Sequence, residues 1–325
     1  MEKIKFLTMA ALATAFFASC SNEDGLPQSN YPADNVVRIT TSVDGMNTRA
    51  SYGGSTAKLS SFGFCINNAG SDKYTYDNIK VTQENGKWNP ATQMLWQNST
   101  TPVDILAYAP YQANGNVKIF GKSDYAFSVK ADQSNAEDYL SDLIVYKQTG
   151  FTPGSELNTS KAVDVAFTHL LSQLNLTIEL RDQFNQDEKK PVTEATVTDV
   201  KVNGTIISSK VDFSASPISV QVDDTQEATA ITPETTEFKA AGKTIDHAAF
   251  NYSAIVIPQT VTAGNFSISF KVDGTDYIWT STSDVNFVSG NKHQLSLLVG
   301  KDVVQVKGIT ATPWGKENIT QGETD

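Results

Sequence analysis

Ser267-Ile268-Ser269-Phe270-Lys271-Val272-Asp273-Gly274-Thr275-Asp276-Tyr277-Ile278-Trp279 decides the fold class. An Asp-Gly pair between two strand-like runs marks a two-residue hairpin, because the central positions of that turn favour residues that tolerate positive φ. The same grammar recurs along the chain. Asn85-Gly86, Asn114-Gly115 and Asn203-Gly204 punctuate runs that read as strands at 61–66, 74–81, 104–108, 125–129, 143–146, 163–167 and 173–180. A second set falls at 196–202, 218–222, 253–257, 266–272, 277–280, 294–299 and 303–309. Strands at intervals of roughly ten residues, without alternating helices, predict an all-β chain of sandwiches. Only short helical turns are expected, at 134–140 and 169–174.

The N-terminus reads as a sequence of processing signals. Lys3 and Lys5 precede an apolar run at 6–18, followed by Ala18-Ser19-Cys20. The run is short for a membrane span and has the form of an export signal, with Cys20 as the lipid acceptor at its end. Ser21-Asn22-Glu23-Asp24-Gly25 is small and acidic, in the manner of a surface-sorting tag, and 26–35 is linker-like with Pro27 and Pro32. Residues 36–43 then alternate. Val37, Ile39, Thr41 and Val43 fall on one face, and Arg38, Thr40 and Ser42 on the other, as in a half-buried strand. Thr48-Arg49-Ala50 follows, a trypsin-like site between Arg49 and Ala50 that would cut away the tether and this strand together.

Bulk properties exclude several functions. A formal charge of −11 disfavours nucleic acid, which needs clustered cations against phosphate. With Cys20 assigned to lipid, Cys65 is a lone thiol in Phe62-Gly63-Phe64-Cys65-Ile66, expected to be buried, so no disulfide framework exists. The three histidines, His169, His247 and His293, lie far apart and have no ligand at metal-binding spacing. Gly121-Lys122-Ser123 lacks the spacing and the strand-to-helix setting of a phosphate loop. Asp223-Asp224 and the Asp138/Asp142 pair do not fit a calcium loop. Tyr74, Tyr76, Tyr108 and Tyr111 read as strand packing more readily than as a sugar site. No enzyme activity, cofactor or metal is expected.

Several stretches together resemble a known family. They are Val36-Val37-Arg38-Ile39-Thr40, Asn47-Thr48-Arg49-Ala50, and Pro102-Val103-Asp104-Ile105-Leu106-Ala107-Tyr108-Ala109-Pro110-Tyr111. Further along come Val165-Ala166-Phe167-Thr168-His169-Leu170-Leu171-Ser172-Gln173-Leu174, Ile257-Pro258-Gln259, Phe287-Val288-Ser289-Gly290-Asn291-Lys292 and the late Trp314. In this order they resemble the fimbrillins, the Mfa-like branch of type V pilins. The resemblance implies two transthyretin-like β-sandwich domains in tandem, export as a lipoprotein, and assembly into surface fimbriae at the outer membrane. It also implies an Arg-specific protease acting at Arg49. Phe17, at a position where an aliphatic residue is usual, and the short hydrophilic tail after Trp314 depart from the family pattern.

The expected organisation is a signal peptide at 1–19, a tether and removable strand at 20–49, and sandwiches at 50–183 and 184–325. The polar segment 181–191 marks the boundary between the sandwiches. The expected partners are other fimbrial subunits joined head to tail, the protease, the membrane through lipid on Cys20, and a host or bacterial surface ligand. Strand exchange is expected to supply the head-to-tail joint. The slot of Val37, Ile39, Thr41 and Val43 would be refilled by Val303, Val304, Val306 and Ile309 of another copy, with Gly308 marking a bulge. The alternative from a different class is a surface lipoprotein that binds glycan or a host protein without polymerising.

Overall fold

The computed structural model describes residues 30–43, 59–113, 118–135, 141–184, 191–242 and 246–314. In chain order its first strands are β1 (Ile39–Val43), β2 (Ser61–Asn67), β3 (Tyr76–Glu84), β4 (Lys87–Pro90), β5 (Val103–Ala109), β6 (Tyr125–Ser128) and β7 (Ile144–Phe151). One turn of helix, α1 (Pro153–Glu156), leads to β8 (Val163–His169) and β9 (Ser172–Leu180). Next come β10 (Val197–Asn203), β11 (Ser208–Asp212), β12 (Ser219–Val222), β13 (Glu234–Lys239) and β14 (Ala248–Val256). The last are β15 (Gln259–Val261), β16 (Ser267–Val272), β17 (Thr275–Thr280), β18 (Val285–Phe287), β19 (Asn291–Gly300) and β20 (Val303–Pro313). The all-β class expected from the turns holds. Asp273 and Gly274 take φ of 50° and 83° between β16 and β17, and Asn85 and Gly86 take 52° and 75° between β3 and β4.

Two larger sheets organise the chain. One has seven strands in the order β1-β8-β7-β5-β2-β3-β4, and the other five in the order β13-β14-β9-β19-β20. Smaller sheets β10-β16-β17, β12-β11-β6 and β15-β18 complete the set. The first core holds Val37, Phe62, Phe64, Trp96, Ile105 and Phe167, among others. The second holds Leu176, Ile178, Phe250, Ile268, Leu297 and their neighbours.

These cores share a wall. Burial along β2 is continuous through Phe62-Gly63-Phe64-Cys65-Ile66, because alternate residues face different cores. Phe64 and Ile66 enter the first core, while Cys65, Leu106, Tyr108 and Val145 enter the second. Burial raises the Cys65 thiol well above its ordinary pKa, as suits a packing residue. Within the second core, the ring of Tyr108 lies 5.6 Å from both Tyr125 and Phe213.

Sheet membership departs from the expected partition. It changes between His169, the end of β8, and Ser172, the start of β9, so β9 already belongs to the later sheet before the 181–191 segment is reached. β6 also leaves the first half to pair with β11, with Tyr125 opposite Val211. A polar segment marks surface, which a loop inside a sheet's connectivity supplies as readily as a domain linker. The turn expected at 169–174 is the short join between β8 and β9, and residues 136–140 of the other lie outside the described residues.

Candidate functional site

β1 buries one face and is paired along one edge only. A turn precedes it, in which the Asn35 N–H donates to the Pro32 carbonyl at 3.1 Å and Asn35 takes a φ of 56°. The chain then passes Met94-Leu95-Trp96: the Val37 N–H donates to the Met94 carbonyl at 3.0 Å, and the Trp96 N–H donates to the Asn35 carbonyl at 2.8 Å. From Ile39 onward β1 runs parallel to β8, with Ile39 opposite Val163 and Val43 opposite Phe167. Val37, Ile39 and Val43 sit in the first core as the alternation requires. Thr41 shares their face and is half-buried.

The ladder shows how β1 is attached. The Val163 N–H donates to the Arg38 carbonyl at 2.8 Å, which sets the backbone groups of Arg38, Thr40 and Ser42 toward β8. Those of Ile39, Thr41 and Val43 therefore point to the opposite edge, where no described strand pairs with them. That edge borders a groove of about 790 Å³, shared with Lys87, Trp88, Asn89 and Pro90 of β4 at the far end of the same sheet. Removal of β1 would thus strand one full row of backbone groups, on β8, where loss of an interior strand would strand two. β8 depends on this pairing. Five residue pairs join it to β1, and only Ile144–His169 and Val145–Thr168 join it to β7.

An ion pair braces the approach to β1. Arg38 donates from Nη1 to Asp34 Oδ1 at 3.0 Å and from Nη2 to Oδ2 at 2.6 Å, and the Val36 N–H donates to Asp34 Oδ1 at 3.1 Å. Bonding to Arg38 first, and then to the Val36 amide, holds the Asp34 carboxyl down at about 2. A depressed carboxyl pKa stabilises the fold above the unfolded value near 3.8, and that contribution fades as pH falls through about 2. An NMR titration of Asp34 should accordingly show a midpoint near 2 at low salt. Because both side chains are largely exposed, added salt should move it back toward the ordinary value.

β20 is the opposite case. It closes the five-stranded sheet as an edge, antiparallel to β19, and runs longer than expected, to Pro313. Val306 lies opposite Leu297 and Ile309 opposite Leu295, so both point to the core side of the sheet. Yet Val303, Val306 and Ile309 are 44%, 46% and 42% exposed. Only Val304 packs partly against the core. The expected bulge is present: the register shifts so that Lys307, beside Gly308, has no opposite residue.

The strand ends at Trp314, where three distant landmark stretches meet. Its indole stacks on His169 at 3.9 Å and 6°, and the backbone N–H of Trp314 donates to the carbonyl of Gly290 at 2.7 Å. The sequence marked these positions without any signal that they touch. It likewise missed that β8 and the Met94–Trp96 segment hold β1, because pairing over some 120 residues leaves no local trace. Cys20, Arg49 and Ala50 lie outside the described residues. Among the described residues no group of His, Cys, Asp and Glu could hold a metal, and no helix is long and apolar enough to cross a membrane.

Residues 48–314 match the sequence profile of the fimbrillin-like family. The chain belongs to that family. The matched span begins beside Arg49 and ends at Trp314, so β1 precedes it. Solved structures share the fold of this fimbrillin-like chain. A Bacteroides ovatus protein named for cell adhesion aligns with a TM-score of 0.63 at 12% identity, over 87% of this chain and 99% of its own. A Bacteroides uniformis protein, also named for cell adhesion, gives 0.55 at 19%, over 87% and 99%. A fimbrial protein of Bacteroides vulgatus gives 0.52 at 15%, over 86% and 99%. No curated protein matches the sequence.

Proposed function

We propose that this fimbrillin-like protein is a structural or accessory subunit of type V fimbriae, supporting adhesion at the cell surface. It is exported as a lipoprotein on Cys20, and an Arg-specific protease cuts after Arg49. β1 then leaves with the tether, and the β20 region of another copy enters the vacated slot. The observation that carries this reading is a mismatch between two edge strands. β1 buries its apolar side chains in a core while only β8 pairs with it as a strand, and it lies on the tether side of Arg49. β20 has an apolar stripe that its own core leaves largely exposed. Exchange pairs the exposed stripe with the empty slot, a β-augmentation that repeats head to tail.

Arg49→Ala tests the scheme in cells. The variant is expected to remain a lipid-bound monomer whose mature N-terminus, read by mass spectrometry, is Cys20, while the parent starts at Ala50 and runs as a ladder of polymers. Normal filaments from the variant would sink the scheme. A parent that retains residues 20–49 at the surface would mean a non-polymerising surface lipoprotein instead.

A further inference from the structure

Trp314 is bound differently from the strand it terminates. The exposed apolar residues of β20 leave it held mainly by its ladder with β19, whereas Trp314 is 7% exposed. Its socket is assembled from three places. His169, the last residue of β8, lies flat against the indole, and its Nδ1 is 2.8 Å from Asp142 Oδ2, both side chains being buried. The turn into β19 contributes the rest: the Gly290 carbonyl accepts the backbone N–H of Trp314 at 2.7 Å, and Lys292, at the start of β19, holds its ammonium 5.8 Å from the indole centroid. That turn is itself tied to the β8–β9 join, with the Gly290 N–H donating to the Leu171 carbonyl at 2.9 Å and Ser289 Oγ to the Leu170 carbonyl at 2.6 Å.

We propose that the Trp314–His169 stack is a latch that retains β20 in its own subunit, and that β8 couples it to β1. The inference rests on the strand-exchange reading. Moving β20 to a neighbour trades one backbone ladder for another and covers the exposed stripe, so those contributions favour or balance transfer. The indole is the large side chain on this segment that must leave an existing socket, so it opposes release. The stacking partner it leaves is His169 at the end of β8; β1 pairs with residues 163–167 of that strand, and β7 pairs with Thr168 and His169 themselves. Loosening β1 frees the first five of the seven residues of β8, and the proposed coupling passes through the remaining two, held by β7, to His169, so that an occupied first slot keeps the donor at home.

Hydrogen exchange on the intact, uncleaved chain tests this without any assembly step. Trp314→Ala should speed exchange of the β20 amides by about ten-fold or more, leaving β9 and β14 unchanged, as for a local opening. Trp314→Phe, which keeps a stacked ring, should stay near the parent. Ile39→Ala, which weakens only β1, should raise exchange in β1, β8 and β20 together. Unchanged β20 protection in Trp314→Ala would overturn the latch, and so would equal loss throughout β9 and β14, which would make Trp314 an ordinary core residue. Unchanged β20 protection in Ile39→Ala would overturn the coupling. If β20 opens as expected but chains cleaved after Arg49 never polymerise, strand exchange fails and the latch stands.

Discussion

A chain that begins at Ala50 is expected to lose about 4.5–9 kcal/mol of stability, since Val37, Ile39 and Val43 each contribute about 1.5–3 kcal/mol by burial. The area-based figure is an upper bound, because the unfolded chain already hides part of this surface. It is still comparable to the whole stability of a typical domain, roughly 5–15 kcal/mol. The pairing makes the loss worse than the areas suggest, because β8 would keep only its two residue pairs with β7. The truncated protein should melt well below the full chain, or aggregate through the bared edge. A synthetic peptide of residues 36–43 added in excess should restore the melting temperature, and one of residues 303–313 should do so under the exchange scheme. The readout is thermal unfolding with and without peptide. A truncated chain as stable as the parent would show that the slot contributes nothing.

Tyr108→Ala should cost about 3–5 kcal/mol, the range for emptying a buried aromatic site. Tyr108 is fully buried in the second core, against Tyr125 and Phe213, with Gly63 of β2 beside its ring. Its hydroxyl donates to Asn78 Oδ1 at 2.7 Å, and Asn78 Nδ2 donates in turn to the Gln112 carbonyl at 3.0 Å. Gly63 is required by contact and not by turn geometry. A Cβ there would meet Tyr108 Cε1 at 2.3 Å and Asn78 Oδ1 at 2.8 Å, and neither can retreat in a packed site. Gly63→Ala should therefore cost about 1–3 kcal/mol by overpacking. Removing the ring removes the closest of these contacts and leaves only Asn78 Oδ1, so the double variant should cost less than the two single changes together, as contacting residues do. Urea unfolding of the four proteins measures the coupling. Strict additivity would show that the two residues do not press on each other.

Much of the fold could be read locally. The strands with period-2 alternation and the Asp-Gly or Asn-Gly hairpins are set by neighbours in sequence, and β2, β9, β16 and β19 fall where their patterns place them. The strands that escaped notice are β4, β11, β13, β15 and β18, which are short or polar, such as Lys87-Trp88-Asn89-Pro90 and Glu234-Thr235-Thr236-Glu237-Phe238-Lys239. Such strands take their conformation from a neighbouring ladder more than from an apolar pattern of their own.

What the sequence by itself determined is an all-β chain whose first strand region has a core-facing side of Val37, Ile39 and Val43 ahead of Arg49. Alternation and turn chemistry are local, so they are legible without partners. Only the tertiary structure decided that β1 lies parallel to β8 at a sheet edge, that β2, β5 and β7 serve two cores, and that Trp314 closes on His169. Each of these is a contact between residues far apart in the chain. Its existence depends on register and loop closure, and no side-chain period records them.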